Sequence, residues 1–598
     1  MANFIVIVDP DIERRNQFVA TVMPKLSPVD GLVTQSRSAW DFTAVWSAHK
    51  SSPVSVDADE KGAAILWGQP IGENASDRID AKKLRALWSK PVDRQNTVLN
   101  GFHAGVVYRR DRGLIVGADM LGIFPVYYWS SGDILLVGSS PELFRYYRDF
   151  RIKIEPAGVV GILLMMHMFG GRTLLKGVRR LDAGHQLLWR LGKAAREVAQ
   201  YKLAGSMKYF SLGFSEHVDI LDHAVEQTIA RHVPVNGDYS LMLSGGLDSR
   251  LLAGYIKEGN VKPTALTIGV PGDIEARCAK PVARKLGLAH QRIDVNYDSY
   301  VRCGELGSNW EHVSNGFNFI MNWALPGYLN NFGSHVLLGH CFDAVIGSRY
   351  MTWPYEDRTG DTNFESFFGK LNSWGVRSSI LRKLLRRDVF GDLIDQTIGR
   401  MRSVYESYSD MESQRAWCFN LYHRQRFHVG SAAWAYSFGA WPVLLVLERR
   451  LLETAAAMPA ATIAQRRAEI ELICRRFPGL ASLPLDRNSC NSEPLRPRLR
   501  YQFSRYICNH LKIPGRAKTG SAEHRYYYRI YDFNNPGWRA VRSQAEPYRE
   551  RLYDLFNKKV LNDLLPGPDE QVNFQDSIVD ASGLKSLLGL MLWTRDHL

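Results

Sequence analysis

The chain has 598 residues, 45% of them apolar and 23% charged, which is the composition of a globular protein rather than a disordered or fibrous one, and its length predicts roughly two to four domains. Its 75 basic and 61 acidic side chains leave a formal net charge of +14; with no zinc-finger, basic-zipper or RNA-sheet signature beside them, an anionic ligand or acidic peptide is expected rather than nucleic acid. Cys278, Cys303, Cys341, Cys418, Cys474, Cys490 and Cys508 are scattered with no Cys-x-x-Cys spacing, so neither a disulfide framework nor a zinc site is expected and a reduced cytosol fits.

In chain order, the first residues, Met1-Ala-Asn-Phe-Ile-Val-Ile-Val-Asp9, carry no basic leader or small-residue cleavage site, and they read as a strand. Short apolar runs at 4–8, 63–67, 104–108, 113–117, 126–129, 134–137 and 186–189, each followed by turn residues, predict a largely antiparallel domain over residues 1–205. The pattern then changes. A helix over 215–232, a strand over 239–243, a helix over 250–258, a strand over 264–268, a helix over 275–286 and a strand over 290–295 form the alternation of a doubly wound parallel sheet, placed in a second domain over 206–598. Beyond residue 360 the patterning is mostly helical, including 380–402 and 448–457. The longest apolar runs, 159–168 and 441–447, are too short to cross a bilayer, so no membrane span is expected.

The strand at 239–243 runs into Ser244-Gly-Gly-Leu-Asp-Ser249 and leaves through a helix. Glycines there permit left-handed or close-approach backbone, and the helix start offers free N–H groups, so the turn reads as an anion cradle. It lacks the Gly-Lys-Ser/Thr of a Walker loop. The two serines suit pyrophosphate oxygens, and Asp248 suits a magnesium ion. The bland alternative is an ordinary glycine-rich turn capped by Ser244 or Asp248.

This hexapeptide resembles the pyrophosphate loop of the asparagine-synthetase-like ATP pyrophosphatases. Thr264-Ala-Leu-Thr-Ile-Gly269 with the following helix is similar to that family's second strand, whose end lines the adenine pocket. Leu337-Leu-Gly-His-Cys-Phe-Asp343 resembles the segment carrying its second metal aspartate, and Val446-Leu-Glu-Arg-Arg450 its Phe-Leu-Asp-His-Arg helix. In the front half, Asn100-Gly-Phe-His-Ala-Gly105, Gly117-Ala-Asp-Met-Leu-Gly122, Gly138-Ser-Ser-Pro-Glu142 and Arg179-Arg-Leu-Asp-Ala-Gly184 resemble its glutaminase domain.

The resemblance implies an α/β protein with an N-terminal glutaminase-like (Ntn-type) β-rich sandwich and a C-terminal doubly wound ATP-pyrophosphatase domain ending in helices. It implies ATP held by Leu243, Ser244, Gly245, Gly246, Leu247, Asp248, Ser249, Thr267, Ile268, Gly269 and Gly339, with Mg2+ on Asp248 and Asp343. His340 stands where the family places a glutamate, and Gly439 falls near another expected acid. A cation beside the pyrophosphate is sought at Arg487 or Lys518. Position 2 is Ala2 where a working glutaminase needs a nucleophilic cysteine. The expected activity is therefore that of a lasso-peptide cyclase, closing a macrolactam in a core peptide and acting with a leader peptidase and a leader-recognition protein. A β-lactam-synthetase-like or ammonia-dependent small-molecule amide ligase is the alternative, followed by a tRNA-modifying relative and a catalytically dead scaffold.

Overall fold

The computed structural model describes residues 2–74, 77–90, 98–347, 363–486, 492–497, 526–574 and 579–598. Its front part is a sandwich of two six-stranded antiparallel sheets. One has the order β10 (Arg179–Arg180), β8 (Tyr127–Ser131), β9 (Ile134–Gly138), β1 (Ala2–Val8), β3 (Phe42–Ala48), β2 (Val33–Ala39). The other has the order β12 (Arg196–Ala199), β11 (His185–Trp189), β7 (Gly113–Ala118), β6 (Ala104–Arg109), β5 (Gly62–Trp67), β4 (Val54–Asp59).

Aromatic pairs join the inner faces: Phe4 stacks on Trp67 at 4.0 Å and Phe42 on Tyr108 at 5.0 Å. A helix covers each outer face, Ile12–Val22 against β3 and Ala81–Trp88 against β4, β5 and β6. Strands β3 and β5 are therefore buried on both faces and read as continuous apolar runs rather than alternating ones. Neither helix was foreseen from periodicity.

The second part is built on a five-stranded parallel sheet of order β15 (His290–Ile293), β14 (Thr264–Ile268), β13 (Tyr239–Met242), β16 (His335–Leu338), β17 (Trp441–Leu444). The chain enters at the centre, winds outward through β14 and β15, then crosses back to β16 and β17 on the other side. That reversal puts a switch point between β13 and β16, and in open α/β sheets ligands bind beyond the strand C-termini at such a point. Pro442 sits in the edge strand β17, where a missing ladder donor is tolerated. The helical segment anticipated over 380–402 is three helices, Ser378–Leu384, Arg387–Phe390 and Leu393–Glu406, with Gly391 at φ 48° breaking the run.

The two parts share a buried polar joint. Gly101 donates to the Leu447 carbonyl at 2.8 Å, and Arg426 donates to the carbonyls of Gly122 and Leu181 at 2.9 and 2.6 Å. Glu448, 1% exposed, accepts from Arg231 and His232 at 3.2 and 3.0 Å. The helix Arg449–Ala456 is thus pinned to the helix Phe214–His232, and the acid of this motif serves the fold. The helix Ser582–His597 is buried along nearly its whole length. Among the described residues, no helix is long and apolar enough to cross a membrane.

Candidate active site

A cavity of about 240 Å3 opens at the switch point, lined by Leu243, Ser244, Asp248 and Ser249 after β13, by Ile268 of β14, and by Gly339 and His340 after β16. Glu275, Asn322, Tyr436 and Tyr531 complete much of its wall. Strand β13 ends here because its ladder stops at Met242, and the helix Leu247–Glu258 starts at Gly246 with no side-chain cap. The first N–H groups of that helix are left for a ligand.

The serines set the loop's shape. Ser249 Oγ accepts from the Ser244 amide at 3.0 Å, the two hydroxyls lie 2.9 Å apart, and the Gly246 amide donates to Ser244 Oγ at 3.2 Å. Neither Gly245 nor Gly246 has positive φ, so the glycines serve close approach rather than left-handed geometry. A Cβ on Gly245 would come within 2.8 Å of Cys278 Cβ and 3.0 Å of Asp486 Cβ; one on Gly339 would come within 3.1 Å of the Ser249 amide nitrogen. Arg250, wholly buried, donates to the carbonyls of Leu480 and Leu483 and fastens the segment that brings Asp486 against Gly245.

Asp248 and Asp343 converge from two elements. Asp248 is in the first turn of the helix Leu247–Glu258, and Asp343 is in the short helix Phe342–Val345, behind a left-handed Cys341 at φ 67°. Burial, with the Asp248 charge beside it, pushes the Asp343 carboxyl up to about 6. Arg466 lies between them, its Nη2 3.2 Å from Asp248 Oδ2 and 3.6 Å from Asp343 Oδ2. Glu469, fully buried one turn further on, is 3.4 Å from Arg466 Nη1, and burial holds it well above the usual carboxylate range. The Asp248 carboxylate beside Glu469 adds to that upward push. Hard carboxylate oxygens beside an uncapped helix start fit a magnesium ion and a polyphosphate, and Gly339 and Gly245 leave the backbone room such a group needs.

His340 faces the cavity, and its Nδ1 has no hydrogen-bond partner. Burial pushes its pKa down to about 4, so the ring is neutral at pH 7. Tyr436 stands across from it, ring centroids 5.9 Å apart, and donates to Asn322 Oδ1 at 3.1 Å.

Not every sequence candidate reaches the cavity. Thr267 turns inward, its hydroxyl donating to the Leu243 carbonyl at 2.6 Å and accepting from His290 Nε2 at 2.9 Å, so it braces β13 against β14. Gly269 donates to Ile293 at 2.9 Å. Gly245, Gly246 and Leu247 are not among the residues lining the cavity. Gly439 has no room for an acid, because a Cβ there would lie 2.3 Å from the Pro326 carbonyl oxygen. Of the aromatic residues flanking Gly439, Tyr436 lines the cavity, whereas Trp434 packs on Trp323 and Trp441 on Phe102. Arg487, Lys518, Tyr350, Trp353 and Tyr355 lie outside the described residues. Arg466 and Glu469 carry no signal in the sequence, since Arg466 is 218 positions from Asp248 in the chain.

A two-sheet antiparallel sandwich in front of a parallel nucleotide-type sheet, with this loop at the switch point, defines a glutamine-amidotransferase-type (Ntn-like) domain joined to an asparagine-synthase-type domain. Comparisons with known proteins agree with that class. Residues 73–202 match the family model for the glutamine amidotransferase domain, and residues 220–341 that for asparagine synthase. The two matches together support an asparagine-synthetase-like protein. Solved structures that match over part of the chain include glutamine phosphoribosylpyrophosphate amidotransferase from B. subtilis, 12% identical, covering 49% of this chain and 65% of that one at a TM-score of 0.23. Others are an allosteric regulatory enzyme of purine biosynthesis, 10% identical over 49% of this chain and 80% of that one (TM-score 0.23), and NMN synthetase from Francisella tularensis, 14% identical over 37% and 97% (TM-score 0.18). The chain spans about 65% of the first of these. No curated protein matches it.

Proposed function

We propose that this chain is a cytoplasmic ATP-dependent carbon–nitrogen ligase of the lasso-cyclase kind, which activates an Asp or Glu side chain of a leader-free peptide and joins it to the peptide's own N-terminal amine. The observation that carries the ligase chemistry is the convergence of Asp248 and Asp343 on the Ser244–Ser249 loop at the sheet's switch point. Ring closure is supported by the front domain, because residues 1–205 contain no cysteine. Without a thiol nucleophile there is no source of ammonia in those residues, so the nitrogen comes from an amine delivered as substrate.

In this reading the substrate carboxylate oxygen attacks the α-phosphorus of ATP, a bond to the phosphorus forms, and the bond to the pyrophosphate oxygen breaks. The amide donors of the Ser244–Ser249 loop and the helix start take up the charge developing on the pyrophosphate. A magnesium ion on Asp248 and Asp343 would supply further charge neutralisation when bound. The amine nitrogen then attacks the acyl carbon, the C–O bond to AMP breaks, and the amine loses a proton. Neutral His340, with Nδ1 unpartnered at the cavity wall, is placed to accept a hydrogen bond from that amine. An α-amino group has a pKa of about 7.7 to 8.0, so only modest base assistance is needed. The partners in this reading are the core peptide, a leader peptidase and a leader-recognition protein.

A second reading, a small-molecule amide ligase, is favoured by the cavity's 240 Å3, which is small for a nucleotide and a folded peptide together. Mass spectrometry of the purified chain with ATP, Mg2+ and a leader-free precursor peptide, alongside aspartate with ammonia, separates the two. Loss of one water from the peptide, abolished by Asp248→Ala, is the expected result. Asparagine and pyrophosphate with an unaltered peptide would overturn ring closure in favour of the second reading.

A further inference from the structure

On the outer face of the front domain's second sheet, the helix Ala81–Trp88 packs on β4, β5 and β6, and beyond its end the outward positions of β7, β11 and β12 line a cavity of about 630 Å3. Leu188 stands opposite both Ile115 and Arg196 in the ladder, so aliphatic side chains make the floor and a cation borders it directly. Four more cations surround the floor: Lys90 after the helix, Arg112 in the turn between β6 and β7, and Arg190 and Lys193 in the turn between β11 and β12. Among the described residues no acidic side chain lines the cavity, and Arg190, Lys193 and Arg196 form no ion pair. The nearby acids are engaged elsewhere. Asp111 pairs with Arg109 at 2.9 Å and more loosely with Arg112 at 3.8 Å, Asp133 accepts from the Gly192 amide at 2.9 Å, and Glu197 accepts from Tyr128 on the inner face at 2.7 Å. Trp88 borders this cavity and a smaller one that Gln186 also lines; Gln186 is 4% exposed, and its Oε1 has no hydrogen-bond partner.

We propose that this face docks an acidic segment of a partner protein, one that carries apolar side chains among its carboxylates. Cations without acidic partners draw in an anionic chain, helped by the field of a molecule with a net charge of +14. Ile115 and Leu188 then take the apolar side chains, the arrangement of an interface with an apolar centre and a charged rim. Because the cations come from the end of a helix and two separate turns, they suit several carboxylates along a segment rather than a single phosphate. The buried Gln186 Oε1 is an acceptor for a backbone N–H of that segment. Trp88 and Trp189, 6% and 3% exposed, present no open ring on which a base could stack, which disfavours nucleic acid. No residue lines both this face and the cavity at the Ser244–Ser249 loop, so the docking stands apart from the ligase chemistry and does not depend on that reading.

Fluorescence anisotropy on the full chain tests this with a fluorescein-labelled peptide of Glu and Leu, the same peptide with Ser in place of Leu, and an oligothymidylate of matching length. The wild type is expected to bind the Glu and Leu peptide more tightly than either of the others. The triple variant Arg190→Glu, Lys193→Glu, Arg196→Glu is expected to bind it at least roughly tenfold more weakly. All three cations are exposed, so the variant keeps its fold by circular dichroism. Leu188→Ser leaves every charge in place and is expected to weaken the Glu and Leu peptide several-fold while sparing the Glu and Ser one. Peptide binding that is absent in the wild type, or unchanged in both variants, overturns the inference. Oligothymidylate bound more tightly than the peptide and lost in the triple variant would make the face a nucleic-acid site and overturn it too. Weakening by His340→Ala but not by the triple variant would put the peptide in the ligase cavity as substrate, which also overturns it.

Discussion

His597, in the helix Ser582–His597, places its Nε2 2.9 Å from Oε2 of Glu142 in the front domain, and His312 brings its own Nε2 within 3.2 Å of the same oxygen. Hydrogen-bond bookkeeping fixes the protons. Trp593 Nε1 can only donate, and it lies 3.0 Å from His312 Nδ1, so the hydrogen of His312 is on Nε2 and points at Glu142. His597 lies between the Trp593 carbonyl, 2.9 Å from its Nδ1, and Glu142. Arg145 takes the other carboxylate oxygen at 2.9 Å. The three ligand atoms lie within 4.8 Å of one another, as in a metal cage. A metal on His312 Nε2 would, however, push a hydrogen onto Nδ1 against the Trp593 N–H. The joint is a hydrogen-bonded clamp on one carboxylate.

Removing that carboxylate strands its donors in a buried place. Glu142→Gln is expected to cost roughly 3 to 5 kcal/mol, seen as a lower urea midpoint, while a chelator leaves the wild-type Tm where it was. A Tm that falls on chelation would return the cluster to the metal sites. Burial alone would raise the pKa of Glu142, but the hydrogen bonds from His312 and His597 outweigh it and hold the group at about 2. A depressed carboxylate stabilises the fold above its ordinary value of 4.5, so this contribution is complete at neutral pH and is lost as pH falls from about 4.5 through about 2.

Histidines kept neutral by burial give a second pH dependence in a higher window. His103, His167 and His312 are each brought down to about 4 by burial. Between pH 6.5 and 4 the unfolded chain binds protons that the folded chain refuses, so stability rises with pH across that window and levels off above it. At pH 5 each imidazole is expected to cost on the order of 2 kcal/mol relative to pH 7. Urea melts at pH 5, 6 and 7 check this, and a flat profile would contradict it.

The metal pair is separable from the fold. Asp248→Asn and Asp343→Asn are expected to reduce ATP-dependent pyrophosphate release roughly 100-fold or more. Neither should lower the Tm, because each removes one of three crowded carboxylates. Pyrophosphate release equal to that of the wild type in Asp343→Asn would remove it from the site.

Gly339 tests the close approach of β16 to the helix Leu247–Glu258. In Gly339→Ala the new Cβ would lie 3.1 Å from the Ser249 nitrogen and 3.3 Å from Asp248 Cβ, shifting the first turn that presents Asp248. The expected outcome is a KM for ATP raised roughly tenfold with a stability loss of about 1 kcal/mol. An unchanged KM would show that the loop tolerates the shift.

Much of the site was legible in residues 239–249 alone, because a pyrophosphate loop is a local object. Its glycines, serines and aspartate fall within one strand-turn-helix unit, and the unit's hydrogen bonds close within five residues. The same locality explains why β13, β14 and β15 and their helices were readable as alternating periods. It also explains the misses. Thr267 fits the adenine wall by its place at a strand end, yet which way a side chain turns there depends on Leu243 and His290 in neighbouring strands.

The sequence by itself determined the composition of the cradle, the parallel order that follows from β-α-β alternation, and the lack of a cysteine in residues 1–205. Only the tertiary structure decided which charges meet there. Arg466 reaches Asp248 across 218 positions, and His597 reaches Glu142 across 455. Pairings at such separations leave no periodic trace, because they are set by how sheets and helices stack once their apolar faces are buried. The order along the chain fixes neighbours within an element, and packing alone fixes neighbours between elements.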